Sequence, residues 1–211
     1  MERISGMTRK ALNNVLRACI LSVICSIPDS VHAAEPVFGV YASFIGNGSA
    51  HSLASEGMAW GFGGRVGGAV RMPLSYGFYI QGNAGIGFCG SKFDGMADER
   101  INGRQYNRLP IDIDALAGWE FPVRDFHLGV YAGTGFNADA VRYFSRPEVS
   151  DIARNIRHCD VLAQGGITFR QQNAMCGIWL KCGLLPQYSL SSTKMNNYSG
   201  GVSFTWFFRE P

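Results

Sequence analysis

The sequence predicts an all-β fold in which eight antiparallel strands run up and down and close into a transmembrane barrel. Segments that alternate apolar and polar residues recur along most of the chain, as strands with one apolar face do. The connections between these segments alternate between short and long. Charged residues make up only 17% of the 211 residues, and the mean hydropathy is close to zero. Such a composition argues against a helical membrane protein and against a disordered chain.

Residues 1–33 have the pattern of a secretory signal peptide. A basic segment precedes the apolar run Ala18–Ile27, which Pro28 ends, and Ala33 has the small side chain that suits a cleavage site. The apolar run is too short to span a bilayer as a helix. We therefore expect residues 34–211 to form the mature barrel.

Other interpretations of this segment stay open. Met1 and Met7 both suit a chain start, and Leu16–Cys19 has some likeness to a lipoprotein signal, although it precedes the apolar run. A buried N-terminal helix is a further alternative. Cleavage would remove four basic and two acidic residues, which leaves 15 basic against 14 acidic residues in the mature chain. This near-balance gives no reason to expect a nucleic-acid partner.

The alternation places eight strands in the mature chain. It is most regular in the fourth, where Asp112 and Asp114 alternate with Ile111 and Ile113. One face of each strand therefore suits lipid, and the other suits a polar interior. The predicted strands are Val37–Ile45, Ala59–Met72, Tyr76–Cys89, Leu109–Phe121, Phe126–Phe136, Cys159–Arg170, Met175–Leu185 and Tyr198–Phe208.

The predicted connections are sorted by length. Pro73–Ser75, Pro122–Asp125 and Gln171–Ala174 are tight turns, and the other four connections are long and polar. Short periplasmic turns and long extracellular loops are the plan of an outer-membrane barrel in a diderm bacterium, whereas the alternative, a soluble sandwich, has no reason to sort its loops. The long connections are Gly46–Met58, Gly90–Arg108, Asn137–His158 and Pro186–Asn197.

The last strand, Tyr198–Phe208, must pair with the first, because a barrel in lipid has no free edge. Its terminal aromatic residue, Phe208, resembles the signal that the barrel-assembly machinery recognises. We therefore expect this machinery and the outer-membrane lipid to be partners of the chain.

Aromatic residues on the apolar faces cluster near both ends of the strands. Two such girdles are typical of membrane barrels, because amphipathic rings settle at the two bilayer interfaces. The predicted girdle residues are Phe38, Trp60, Phe78, Phe88, Trp119, Phe121, Phe126, Phe136, Phe169, Trp206 and Phe208.

The opposite faces carry charged residues that a soluble core would not tolerate. Inside a barrel these residues can pair and fill a narrow lumen. We expect Arg65, Arg71 and Lys181 to face Asp112, Asp114 and Glu120. This network is interpreted either as a plug that holds the barrel together or as a selectivity filter. The predicted lumenal residues are Arg65, Arg71, Gln81, Asp112, Asp114, Glu120, His127, Arg170 and Lys181.

Several short motifs have simpler explanations. Gly85–Gly90 and Gly133–Ala138 match dinucleotide-binding patterns, but no helix is predicted after either, so their glycines are interpreted as inward positions in a tightly curved sheet. The histidines have no ligand spacing, so we expect neither metal nor cofactor. His127 lacks the nearby serine of lipid A deacylases, so we expect no enzyme and no catalytic residue.

Four cysteines remain after cleavage, and they allow three disulfide pairings that the sequence does not distinguish. Cys176 and Cys182 lie six residues apart on one strand, which is roughly 20 Å and too far for a disulfide. We expect both to face lipid. Cys89 and Cys159 could form a disulfide only if their loops fold inward.

The fourth and fifth strands carry a family resemblance. Asn107–Pro110, the strand to Phe121, and Leu128–Asn137 with Gly133 and Gly135 resemble the OmpW-type barrels of the OmpA/OmpX/OmpW group. The close match covers about 30 residues, and the eight-strand plan covers the mature chain. The resemblance implies a narrow, mostly hydrophobic lumen that passes small apolar molecules.

Two functions are compatible with these expectations. The first is an OmpW-like channel for a small, apolar solute, which the match in the fourth and fifth strands favours. The second is a closed barrel that displays its long connections for binding a host ligand or for immune evasion, which the lengths of Gly90–Arg108 and Asn137–His158 favour.

Overall fold

The structure is a computed structural model that describes residues 35–51, 58–94, 103, 105–144, 158–185, 188–190 and 193–211. The predicted signal peptide and parts of the four predicted long connections lie outside these described residues. No helix in the described ranges is long and apolar enough to cross a membrane.

One antiparallel sheet contains all the strands of the described chain. Eight of them are long, and the three-residue β8 pairs with β9 alone among the described strands. The strands are β1 Val37–His51, β2 Met58–Pro73, β3 Phe78–Asp94, β4 Gln105–Val123, β5 Phe126–Phe144, β6 Cys159–Gln171, β7 Ala174–Gly183, β8 Tyr188–Leu190 and β9 Thr193–Phe207.

The sheet closes on itself through the pairing of β1 with β9. The antiparallel register runs from Gly39 opposite Phe207 to His51 opposite Met195. Each other long strand pairs with its neighbours along the chain, so the eight long strands form a closed up-and-down barrel. The prediction of an all-β, eight-stranded antiparallel barrel is confirmed.

Several predicted strand ends are wrong. β1 continues past Ile45 to His51, β4 begins at Gln105 rather than Leu109, and β5 continues past Phe136 to Phe144. The first two extensions are polar, and the third carries Val141 and Phe144 among polar residues. The ladder continues through all three because backbone pairing needs no apolar face. The predicted long connections are therefore shorter than expected.

The strand ends near the tight turns differ less. β3 begins at Phe78 rather than Tyr76, because Tyr76 (φ 60°) and Gly77 (φ 79°) adopt left-handed conformations in a short 3-10 turn. The Leu74 N–H donates to the Phe78 carbonyl across this turn. At the fourth long connection, by contrast, β7 ends at Gly183 instead of Leu185, and β9 begins at Thr193 instead of Tyr198.

Side chains alternate strictly between the two sides of the barrel wall. In β4, Ile111 and Ile113 are 45% and 57% exposed, whereas Asp112 between them is fully buried. The same inversion of apolar and charged residues recurs around the barrel. The outer surface is thus suited to lipid, and the charged side chains fill the interior.

Most predicted girdle aromatics project outward at the ends of this surface. Phe121 and Phe126 are half-buried, because Phe121 packs 5.4 Å from Trp119 and Phe126 stacks 4.3 Å from Phe169. The Trp119 indole N–H also donates to the Tyr76 carbonyl at 2.9 Å. The Trp60 side chain lies outside the described residues. The exposed members are Phe38, Phe78, Phe88, Trp119, Phe136, Phe169, Trp206 and Phe208.

Inward glycines make room for the large lumenal rings. A Cβ atom at Gly67 would lie 2.7 Å from the Tyr41 ring, and a Cβ at Gly201 would lie 2.8 Å from the Trp179 ring. Gly166 stands in the same relation to Tyr131, at 2.8 Å. A narrow barrel can therefore hold these rings only where the facing residue has no side chain.

We predict opposite effects of adding one methyl group inside and outside the barrel. In Gly85→Ala the new Cβ would overlap the Tyr41 hydroxyl and the Val66 carbonyl oxygen, and such overpacking costs about 1–3 kcal/mol. In the control Gly64→Ala the nearest atom is 3.6 Å away, so a gain of roughly 0.5 kcal/mol is expected. Urea unfolding of the refolded barrel in detergent measures both; equal stabilities would contradict the prediction.

Candidate functional site

The lumen contains the predicted polar residues. Eight of the nine are buried, at 0–7% exposure. The ninth, His127, is half-buried near the short-turn end, where it lies opposite Pro122 and Arg170 in the neighbouring strands. The eight buried residues are Arg65, Arg71, Gln81, Asp112, Asp114, Glu120, Arg170 and Lys181.

We call the long-connection end of the barrel its upper end. Four of these side chains form an upper cluster, which we define as Arg65, Asp112, Asp114 and Lys181. Arg65 Nε lies 2.8 Å from Asp112 Oδ2, and Lys181 Nζ donates to both Asp114 oxygens at 2.8 Å. The Arg65 guanidinium also reaches Asp114 at 3.8 Å. Asn137 Nδ2 donates to Asp112 Oδ1 at 2.7 Å. Two cations and two anions balance in this cluster.

Three further side chains form a lower cluster: Arg71, Glu120 and Arg170. The Glu120 carboxylate accepts from Arg170 Nε at 3.0 Å and forms an ion pair with Arg71 at 2.6 Å. A buried charge is tolerated when it is paired and hydrogen-bonded. The three basic residues expected to face Asp112, Asp114 and Glu120 thus contact these carboxylates, and Arg170 joins them.

Two aromatic rings and a thioether sulfur also contact Arg71. Its guanidinium carbon lies 3.6 Å from the Tyr79 ring centroid and 5.9 Å from that of Phe207. Arg71 Nη1 also donates to the Met175 sulfur at 3.3 Å. Cation–π contact strengthens when the cation is desolvated, as Arg71 is here. Arg71 therefore has two aromatic contacts and a sulfur contact in addition to its ion pair with Glu120.

Two apolar layers lie along the lumen with the clusters. The upper layer is Ile45, Cys89 and Trp179, with Tyr131 packed against it. Trp179 also faces the Arg65 and Lys181 cations, at 5.8 and 5.4 Å from its ring centroid. The lower layer, near the short-turn end, is Val37, Tyr41, Ala69, Met175 and Phe207.

The space left between the clusters is small. A cavity of about 40 Å³ is lined by Tyr41, Ser43, Gln81, Asp114, Lys181 and other inward residues. It is large enough for a few water molecules but far smaller than the 300–1,000 Å³ that is typical of a ligand pocket. The described part of the lumen is therefore packed rather than open.

This packing corrects one expectation. The resemblance to OmpW-type barrels implies a mostly hydrophobic lumen, and that implication is wrong for this chain. The charged pairs are the reason, because their buried side chains occupy the space that an apolar path would need.

The sequence prediction missed a polar group at the long-connection end of the lumen. Arg108 Nη1 lies 3.6 Å from the buried Asp139 carboxylate, and Arg142 contacts the His158 ring at 2.7 Å. The segment before Leu109 is polar, so the sequence predicts a loop there, although these residues belong to β4. Its buried residues in β4 show that the polar filling extends up to the level of Cys89 and past it toward the long-connection end.

The four cysteines in the described residues, Cys89, Cys159, Cys176 and Cys182, are all free thiols. Cys176 is exposed on the outer surface, as expected, and Cys182 is partly buried there. Cys89 is buried in the upper layer at 2% exposure, and Cys159 is partly buried. None of the three possible pairings is formed.

The closed sheet, the exposed apolar surface and the ion-paired interior define the class of protein. Only a closed barrel satisfies every backbone polar group of a β-sheet in lipid, and a polar lumen inside an apolar wall belongs to outer-membrane barrels. The chain is an integral outer-membrane β-barrel protein with eight membrane-spanning strands.

The barrel is similar to several solved structures of low sequence identity. Neisserial surface protein A (NspA) is 12% identical, with a TM-score of 0.47 over 83% of this chain and 98% of that chain. Ail of Yersinia pestis, solved with the heparin analogue sucrose octasulfate, is 10% identical, with a TM-score of 0.42 over 82% and 100%. OprG of Pseudomonas aeruginosa is 10% identical, with a TM-score of 0.44 over 84% and 98%.

At these identities the similarity concerns the barrel fold alone. No protein-family model matches the sequence, and no curated protein matches it.

We predict that Glu120 is essential for stability. Glu120→Gln leaves the Arg71 and Arg170 charges buried without their shared anion, and breaking a buried pair in this way costs about 3–5 kcal/mol. The matched control is Glu35→Gln, because the Arg209–Glu35 pair is 2.7 Å long but exposed, and such pairs contribute about 0–1 kcal/mol. Urea unfolding in detergent compares the two variants; a Glu120→Gln barrel as stable as the control would show that the lower cluster does not hold the barrel together.

Proposed function

We propose that this protein is a closed outer-membrane barrel that binds a ligand at the cell surface through its long connections. The ligand class is a host molecule, met in attachment or in evasion of host immunity. In this proposal the lumenal charges are a plug that stabilises the barrel, and the ligand contacts residues at the long-connection end.

The packed lumen is the observation that carries the proposal. Two ion clusters and two groups of buried apolar side chains fill the described lumen, and the cavity between the clusters measures about 40 Å³. A solute would have to break several buried ion pairs to pass. Surface binding requires no such rearrangement.

The strand extensions also support surface binding. A tilted strand of roughly 9–11 residues crosses a bilayer, but β4 and β5 have 19 residues each. The excess length lies at the long-connection end. The paired ends of β4 and β5 would form a rigid wall there. This wall would hold the β3–β4 and β5–β6 connections away from the lipid headgroups.

A second candidate is transport of small apolar molecules, which the resemblance to OmpW-type barrels favours. Pro110, in the Leu-Pro segment that carries the resemblance, cannot donate a backbone hydrogen bond. The β4–β5 register shifts between Leu109 and Pro110, and this irregularity weakens the ladder locally. Transport would then use a sideways exit through the wall above the packed lumen.

The proposed function includes no catalytic step. The residues directly opposite His127 in the neighbouring strands are Pro122 and Arg170, so no serine hydroxyl faces its ring there. The barrel-assembly machinery is proposed as a partner through β9, because the following residue, Phe208, projects outward and is 67% exposed.

The first test is conductance of the refolded mature chain, residues 34–211, in a planar bilayer. We expect no discrete steps, because the ion clusters and apolar layers close the lumen. The positive control is the double variant Trp179→Ala with Lys181→Ala. It removes one ring of the upper layer and one cation of the upper cluster, so it should produce small conductance steps. Steps in the unmodified barrel that a long-chain alkyl detergent blocks would favour the transport candidate instead.

The second part of the test addresses binding. Cells that display the barrel should adhere to host cells or matrix, and replacing residues 95–102 or 145–157 with a Gly/Ser segment of equal length should abolish adhesion. Heat-modifiability on gels should not change, since neither replacement alters a residue of a described strand. Adhesion that survives both replacements would contradict surface binding through these connections.

A further inference from the structure

The small cavity between the two ion clusters has a polar wall. Asp114 and Lys181 of the upper cluster line it from one side. Tyr79 and Met175, both of which contact Arg71 of the lower cluster, line it from the other. Any hydrogen-bonding group inside this cavity would therefore stand between the two clusters.

Four side-chain oxygen atoms in this wall lack a hydrogen-bond partner among the described residues. They are Tyr41 Oη, Ser43 Oγ, Gln81 Oε1 and Thr168 Oγ1, and all four atoms are buried. They come from three strands, β1, β3 and β6. A buried hydroxyl or amide oxygen without a partner is costly, and native proteins rarely leave one unsatisfied. The four atoms call for a common ligand in the cavity.

Charge and volume identify the chemistry of this ligand. The upper cluster already balances two cations with two anions, so the wall attracts no further ion strongly. A hydroxyl group offers both a donor and an acceptor, whereas an amide oxygen only accepts, so the ligand must both donate and accept. About 40 Å³ is room for about three water molecules, since each requires about 10–15 Å³ by the same measure.

We propose that this cavity is a binding site for about three ordered water molecules that join the two ion clusters into one hydrogen-bonded network. The waters accept from or donate to Tyr41, Ser43 and Gln81, and they contact the Lys181–Asp114 pair. The site does not depend on the proposed surface function, because it lies within the packed lumen.

Buried apolar residues close this site at both ends. Ile45 and Cys89 lie toward the long-connection end, Trp179 lines the cavity itself, and Val37 and Phe207 lie toward the short-turn end. Water can then leave only when side chains of a layer move aside. We expect the bound waters to exchange slowly, with lifetimes far longer than those of surface waters.

Magnetic relaxation dispersion of water oxygen-17 in refolded, detergent-solubilised barrel counts such long-lived waters. We expect about three for the unmodified chain and a loss of most of them in Ser43→Leu, whose side chain fills the cavity. Cross-relaxation from water to the amide protons of Ser43 and Gln81 locates them. No long-lived water in the unmodified barrel would overturn the proposal, as would an unchanged count in a folded Ser43→Leu barrel.

A stability comparison tests the same site if Ser43→Leu does not fold. Ser43→Ala and Tyr41→Phe each remove one hydroxyl from the wall. If water is bound, both variants lose a hydrogen bond to it, and the urea midpoint falls relative to the control Thr134→Val, which removes a lipid-facing hydroxyl. If the cavity is dry, removing an unsatisfied hydroxyl leaves the midpoint unchanged or raises it, and the proposal fails.

Discussion

The pairing of the last strand with the first is the constraint on which the rest of this structure depends. No water reaches the bilayer core, so each backbone N–H and C=O in the wall needs a partner within the sheet. The β1–β9 ladder supplies these partners along the seam, and the Phe208 N–H adds a bond to the Phe38 carbonyl. An eight-stranded ring has an interior only wide enough for side chains, so closure also dictates a lumen that its own residues must fill.

The sequence predicts the parts of this structure that follow from period-two alternation. Alternation does not depend on neighbours in space, and it is enough to place Asp112 inside and Ile111 outside. Strand ends are harder to predict, because the Gln105–Arg108 segment of β4 is polar on both faces once it leaves the lipid. The local sequence of such a segment does not distinguish it from a loop. Whether it forms a strand depends on its pairing with the neighbouring strand.

The strand register also determines which charged side chains contact each other. Lys181 on β7 and Asp114 on β4 lie 67 residues apart in the chain and contact each other across the lumen. The sequence indicates that inward cations and anions must pair, since neither could remain alone. It could not indicate that Arg170 would share Glu120 with Arg71, because that depends on the stagger of the strands. The sequence indicates that a crowded interior needs small residues, but it does not indicate which glycines face Tyr41 and Trp179.

The unequal strand lengths give the barrel a slanted rim. β7 has 10 residues and so barely crosses the bilayer, whereas β5 on the far side of β6 has 19. At about 3.3 Å per residue the difference amounts to roughly 30 Å along the strand, less in height because the strands tilt. β8 pairs with β9 beyond the end of β7 and so partly replaces it there. The side chains of the Arg108–Asp139 pair on the inner face of the longer β4–β5 wall are buried. The extra strand length therefore adds a buried polar segment to the long-connection end of the lumen.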